Sequence, residues 1–97
     1  MTITDISHRV IKERYPLLPW SIKEIIDMHV EHGTPGGSFV DYVLKNDLKS
    51  AVMHADMACR RGLGDIALYI HWEIPSGAHG SPEKVAEWRT SVKERTE

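Results

Sequence analysis

The residues most capable of chemistry in this sequence are its histidines, its one cysteine and two glycine–serine steps. Gly37-Ser38 and Gly80-Ser81 each lie where a helix is expected to begin. Free N–H groups and the positive end of the helix dipole hold phosphate at such positions, and arginine pairs with phosphate. Ordinary capping by serine explains both steps without a ligand. The candidate anion-binding residues are Gly37, Ser38, Arg60, Arg61, Gly80 and Ser81.

The spacing of the remaining reactive side chains argues against catalysis. His29 and His32 lie three residues apart, and His54 precedes Asp56 by two, but a zinc site needs three or four ligands. His54 and Cys59 are five residues apart, about 140° around one helix, so they cannot act as base and nucleophile within it. The sequence predicts no catalytic residue, no metal, no cofactor and therefore no enzyme.

Aromatic side chains offer a candidate interaction surface. Tyr69 and Trp72 are three residues apart and lie off the apolar stripe of their helix, and His79 follows in the next loop. Trp and Tyr are enriched at binding hot spots, so we predict that Tyr69, Trp72 and His79 form an interaction surface. The alternative is that the large aromatic side chains fill the core of a small domain. We expect this for Trp20 and Trp88 and leave it open for Trp72.

Apolar residues at steps of three and four predict the helices that would position these residues. The first helix covers about 4–15 and ends before a linker bounded by Pro16 and Pro19. The second begins at Pro19 or Ser21 and ends at Gly33, which suits the left-handed position after a helix.

The centre of the chain is predicted as one long helix over about 39–59, after a glycine-rich loop. Ser38 is its expected N-cap, with Asp41 completing an arrangement like a capping box. A break at Asn46-Asp47 is the open alternative, because both residues favour turns and caps.

The last third of the chain is predicted to hold a turn and two helices. The turn covers Arg60–Gly64, the first helix covers about 63–74 before Pro75, and the second begins at Ser81. No period-two alternation indicates a strand. The expected fold is all-α, a compact bundle of four to five short helices without a sheet.

Length and composition favour one soluble domain over residues 1–97. The N-terminal helix and proline-bounded linker occupy 1–18, and the core occupies 19–92. A net charge of −2 without a basic patch argues against nucleic-acid binding. The single cysteine excludes an intramolecular disulfide, and no apolar run approaches membrane-spanning length. We therefore expect a cytoplasmic protein without a membrane partner.

An ordered set of residues resembles a family of small proteins encoded by phages and prophages. The pattern covers roughly residues 19–88 and includes Glu31-His32-Gly33, Gly37-Ser38-Phe39, Val43-Leu44, Asn46-Asp47-Leu48, Ala55-Asp56 and Gly80-Ser81-Pro82-Glu83, followed by Val85 and Trp88. Family members often carry Tyr-Asn in place of His71-Trp72 and an aromatic residue in place of His79. The resemblance implies a phage gene product working inside a bacterial host, and it implies no activity.

These observations favour a binding protein. The expected function is a phage-type accessory protein that binds and modulates a host or phage protein, with counter-defence as one role that fits. The alternative is a sponge for a phosphate-bearing small ligand or nucleotide, held at the helix starts of Ser38 and Ser81. The small size of the domain also favours a homo-oligomer.

Overall fold

The computed structural model describes the backbone of residues 3–96 and the side chains of residues 9–95, so Met1, Thr2 and Glu97 of the predicted domain lie outside it. The described chain folds into six α-helices without a strand, which confirms the all-α class. They are α1 (Ile3–Arg14), α2 (Trp20–His32), α3 (Ser38–Leu44), α4 (Leu48–His54), α5 (Met57–Glu73) and α6 (Pro82–Thr96). A 3-10 turn at Ser76–Ala78 joins the last two helices.

The stretch predicted as one helix over 39–59 is interrupted twice: at Asn46-Asp47, which confirms the alternative, and again before Asp56, which was not expected. Asn46 adopts a left-handed φ of 64°, which ends α3. The Asp47 carboxylate then accepts the Ser50 N–H at 3.2 Å and begins α4. The Asp56 carboxylate accepts the Cys59 N–H at 2.8 Å and begins α5. The two aspartates therefore act as N-caps, the role that short acceptor side chains fill best.

The turn predicted at Arg60–Gly64 is also wrong, because α5 runs unbroken from Met57 to Glu73. Gly62 serves close packing instead of a turn. A Cβ atom at Gly62 would lie 2.2 Å from the carbonyl oxygen of Leu17 and 3.2 Å from the Cδ atom of Pro19. The missing side chain thus lets the linker between α1 and α2 rest directly on α5.

The other helix ends follow the sequence signals in part. Gly33 ends α2 in the left-handed conformation, and its N–H donates to the carbonyl of His29. The Ser81 hydroxyl accepts the Lys84 N–H at 3.1 Å and so caps α6. Ser38 is not the N-cap of α3, because Gly37 holds that position with a φ of 84° and no side chain caps the helix. The Asp41 carboxylate instead accepts the N–H of Gly36.

The core lies between the end of α1, the linker, α2, α3, α5 and the start of α6. Trp20 and Trp88 are half-buried and pack against it, as expected, and the Trp88 indole N–H donates to the carbonyl of Val30 at 3.0 Å. The buried cluster contains Ile11, Tyr15, Leu18, Ile26, Val40, Leu44, Ile66, Tyr69, Ile70, Ile74, Ala78 and Val85. Burial of this apolar area is the main stabilising contribution to the fold.

Candidate interaction groove

A surface groove runs along one flank of α5, facing α3, α4 and the loop before α6. Its larger part has a volume of about 290 Å³ and its smaller part about 100 Å³. Both parts are lined by Val43, Asn46 and Ala67, so they form one continuous feature, here called the α5 groove. The larger part adds Ile70, His71, His79 and Gly80, and the smaller part adds Asp47, Leu48, Ala51 and Leu63.

The local fold explains why this groove is open. The left-handed turn at Asn46 separates α3 from α4, and the small side chains of Ala51 and Ala67 leave space between α4 and α5. The loop before α6 forms the opposite end, where the Gly80 N–H donates to the Leu44 carbonyl at 2.7 Å. The groove is therefore bounded by the turn between α3 and α4 and by the loop before α6.

The wide end of the groove carries two imidazole rings. Burial lowers the pKa of His79, and the neighbouring His71 and Lys84 lower it further. The Nε2 atom of His79 is buried without a hydrogen-bond partner. His71 is exposed, and its ring meets the Trp72 ring edge to face with centroids 4.6 Å apart. The groove thus has an apolar floor and a polar end. The His79 side chain at that end is uncharged near neutral pH.

Six large apolar side chains on α4 and α5 are exposed. Leu48 is 66% exposed at the edge of the groove, and Trp72 is 69% exposed beside its wide end. Val52, Met53, Met57 and Leu68 are exposed as well. Exposed apolar side chains beside a groove are a feature of recognition sites, and of these six only Leu48 lines the groove itself.

Of the predicted interaction surface, His79 lines the groove, Trp72 is exposed and Tyr69 is neither. The prediction that Tyr69 lies on the surface is wrong, because this side chain is only 4% exposed. Its ring packs edge to face against Tyr15 with centroids 5.7 Å apart, and its hydroxyl donates to Asp27. Tyr69 lies off the main apolar stripe of α5 but is still buried, because the linker between α1 and α2 packs beside this helix.

The six predicted anion-binding residues do not come together as one described site. Arg60 and Arg61 are exposed on α5, and the hydrogen bonds and ion pairs of residues 9–95 join neither of them to Ser38 or Ser81. Gly37 and Ser38 begin a helix of only seven residues. At the other step, the Gly80 N–H and the Ser81 hydroxyl are both used in structural hydrogen bonds, although Gly80 also lines the groove.

Of the residues that line the groove, the sequence singled out only His79 and Gly80 as site residues, and those it missed include Asn46, Leu48 and Ala67. Asn46 was recognised only as a turn residue, and Leu48 and Ala67 only as parts of apolar stripes. The one available signal was the Asn46-Asp47 pair, because a turn at that point exposes the side chains on either side of it.

Hydrogen bonds among several polar side chains join α2, α3 and α6. His29 is fully buried, and its Nε2–H donates to the Ala78 carbonyl at 2.8 Å. Its Nδ1 accepts the Arg89 Nε–H at 3.1 Å, and Arg89 donates to both carboxylate oxygens of Asp41, at 2.6 and 3.4 Å. The two partners of His29 require a neutral imidazole with its proton on Nε2.

The electrostatics of this network follow from its burial. Burial lowers the pKa of His29, and the adjacent Arg89 cation lowers it further against the opposing effect of the Ala78 carbonyl. Burial would raise the pKa of Asp41, but hydrogen bonds from Arg89 and Gly36 lower it below 3.8. Both shifts favour the protonation states that the hydrogen bonds require.

We expect the free energy of unfolding to fall as the pH drops below 6.5, the ordinary pKa of histidine. The unfolded chain takes up a proton on His29 before the native chain does, so acidification favours unfolding. Each pKa unit of depression contributes about 1.4 kcal/mol, present in full above pH 6.5 and lost as the pH falls through the native pKa. Burial depresses the pKa of His79 in the same direction.

Urea unfolding over a pH series, combined with NMR titration of the histidine rings, measures this effect. A His29→Gln variant removes one of the two contributions and should flatten the profile between pH 6.5 and the native pKa of His29. A His29 ring that titrates at or above 6.5 in the native protein would contradict the proposed network.

Cys59 has the environment of a structural thiol. Burial and the Asp56 carboxylate raise its pKa to about 11, so the reactive thiolate is scarce near neutral pH. Among the described residues, His, Cys, Asp and Glu do not gather in groups of three or more that could hold a metal ion. Within residues 3–96, no helix has both the length and the apolar character needed to cross a membrane.

Comparisons with protein-family models, curated proteins and solved structures give no match.

Proposed function

We propose that this protein is a small protein-binding module that holds a segment of its partner in the α5 groove. The support is the groove itself: one continuous cleft with an apolar floor, an exposed leucine at one end and two imidazoles at the other. Recognition sites combine an apolar pocket with a few polar groups that fix the orientation of the ligand. The fitting partner segment presents an apolar side chain next to a hydrogen-bonding group.

The reactive side chains favour recognition over catalysis. The Cys59 thiol is buried and protonated, and His29 is committed to the hydrogen bonds that join α2 to α6. The resemblance to phage-encoded proteins supplies the proposed setting. In that setting the partner is a host or phage protein, and the module changes that protein's activity by occupying part of its surface.

The alternative proposal is a site for a phosphate-bearing small ligand at the wide end of the groove. Its support is that Gly80, His71 and His79 line this end and that the Lys84 side chain lies beside Gly80. The narrow end and the edge of the groove are mostly apolar and exposed. These features favour a protein partner over a phosphate-bearing ligand.

Replacing Leu48 by glutamine is expected to weaken partner binding at least tenfold, because it removes an exposed apolar contact at the edge of the groove. Met53→Gln is the matched control. Met53 lies on the same helix with 70% exposure, but it does not line the groove. Affinity capture from a bacterial host lysate, with quantitative mass spectrometry of the bound proteins, compares the two variants.

Two outcomes of this comparison contradict the protein-binding proposal. One is a set of bound proteins that Leu48→Gln and Met53→Gln reduce equally. The other is a purified protein that carries a phosphate-bearing small molecule and no protein partner, which would support the alternative. Circular dichroism of both variants checks that each remains helical.

A further inference from the structure

The outer face of α5 carries a second exposed surface, separate from the groove. Five residues of this helix fall within an arc of about 80° on a helical projection, and all are exposed. They are Met57, Arg61, Gly64, Leu68 and Trp72, here called the outer stripe. The opposite arc of the same helix is buried in the core. The groove residues Leu63 and Ala67 lie on the flank between these two arcs.

Gly64 has no packing role within its own chain. A Cβ atom at this position would meet nothing within 4 Å, whereas one at Gly62 would collide with the linker. Glycine is among the least favourable residues in a helix interior, so its place in the middle of a long helix is not explained by the fold. A glycine in the centre of an exposed stripe permits the backbone of another helix to approach closely.

We propose that the outer stripe pairs with the outer stripe of a second copy of this chain, with the two α5 helices antiparallel. The register that brings the two ends of the stripe together has its two-fold axis at the midpoint between Gly64 and Asp65. In that register Met57 lies opposite Trp72 of the second copy, and Arg61 lies opposite Leu68. A two-fold arrangement repeats both contacts, as a symmetric dimer requires.

The charges on this face match the same register. Arg61 and Asp65 are four residues apart on α5, so they lie about one helix turn apart on its outer side. Asp65 directly follows Gly64 at the middle of the stripe. The antiparallel arrangement brings Arg61 within side-chain reach of Asp65 of the second copy, and symmetry makes this pair twice. One carboxylate oxygen of Asp65 accepts the Leu17 N–H at 2.7 Å, which fixes the carboxylate and leaves its other oxygen for the arginine.

The ends of the stripe add apolar contacts. The Trp72 ring meets the His71 ring edge to face and is 69% exposed, so it presents a large apolar surface to the second copy. Met57 is 66% exposed, and a thioether contact with an aromatic ring is favourable. Leu17, also exposed, lies beside Asp65 and would be covered by the second copy.

Sedimentation equilibrium of the full chain over a concentration series tests this pairing. The expected result is a reversible dimer with twice the chain mass of 11.0 kDa. Trp72→Ala should raise the dimer dissociation constant at least about 30-fold, and Arg61→Glu should raise it as well. Arg60→Glu is the matched control, because Arg60 is exposed on the same helix but lies outside the stripe, and it should leave the constant unchanged.

A protein that stays monomeric at every concentration would overturn the pairing, as would a dimer that Arg61→Glu and Arg60→Glu weaken equally. All three altered side chains are exposed, so the substitutions are expected to leave the fold intact. Circular dichroism checks that each variant is folded. The result is independent of the proposed partner in the groove. Leu48→Gln changes a groove residue that is not part of the stripe, whereas Trp72→Ala changes a stripe residue that does not line the groove.

Discussion

Replacing Gly62 by alanine is expected to lower the free energy of unfolding by about 3 kcal/mol, the upper range for overpacking a close contact. The added Cβ atom would lie 2.2 Å from the Leu17 carbonyl oxygen, which is backbone and cannot rotate away. The linker between α1 and α2 must then move off α5. That movement breaks the hydrogen bond from the Leu17 N–H to Asp65 and disturbs the burial of Leu18.

Gly64→Ala is the matched control for this prediction. The two glycines lie two residues apart in α5, and a Cβ atom at Gly64 meets open space. Helix propensity predicts that Gly64→Ala raises the free energy of unfolding by up to about 1 kcal/mol. Urea unfolding at several protein concentrations measures both variants and separates any contribution from self-association. Equal effects of the two alanines would contradict the packing described for the linker.

Replacing Arg89 by methionine should cost about 3 kcal/mol of stability, because it leaves the Asp41 carboxylate half-buried without its cation. The side chains of Arg89 and Asp41 are only 16% and 18% exposed, so water cannot fully replace the lost hydrogen bonds. His29 loses the donor to its Nδ1 atom at the same time. Methionine keeps most of the aliphatic volume, so the effect reports on the charged group and not on a cavity.

The exposed ion pair between Arg14 and Glu73 provides the comparison. The Arg14 side chain is 61% exposed, and pairs of this kind contribute about 0.5 kcal/mol. Arg14→Met should therefore shift the urea midpoint only slightly, while Arg89→Met shifts it strongly. Should both variants lose the same small amount of stability, the buried network would have no special part in joining α3 to α6.

The parts of the fold that depend on neighbouring residues could be predicted from the sequence. The end of α2 at Gly33 and the serine cap of α6 follow from residue types within one helix turn. The N-cap role of Asp47 was only an alternative and that of Asp56 was not foreseen, because the apolar stripe continues across both breaks at helical spacing. An apolar stripe at helical spacing indicates which residues are buried, but it does not require one continuous helix between them.

The parts that depend on distant contacts could not be predicted in this way. Gly62 resembles a turn residue until the linker is seen to pack against it. Tyr69 is buried because the linker brings Tyr15 across its ring, and the two residues are far apart in the sequence. The same applies to His29 and Arg89, which meet only when α2 and α6 pack together. The groove arises from several such contacts at once, so only His79 and Gly80 of its lining residues were anticipated as site residues.

The central claim is that the α5 groove is where this protein holds its partner, and site-specific photo-crosslinking in a bacterial host tests it most directly. A photoreactive amino acid placed at Leu48 should form a covalent adduct with a distinct partner protein. The same amino acid at Met53, equally exposed on the same helix but outside the groove, should not. Identical adducts from both positions, or adducts from Met53 alone, would contradict the account.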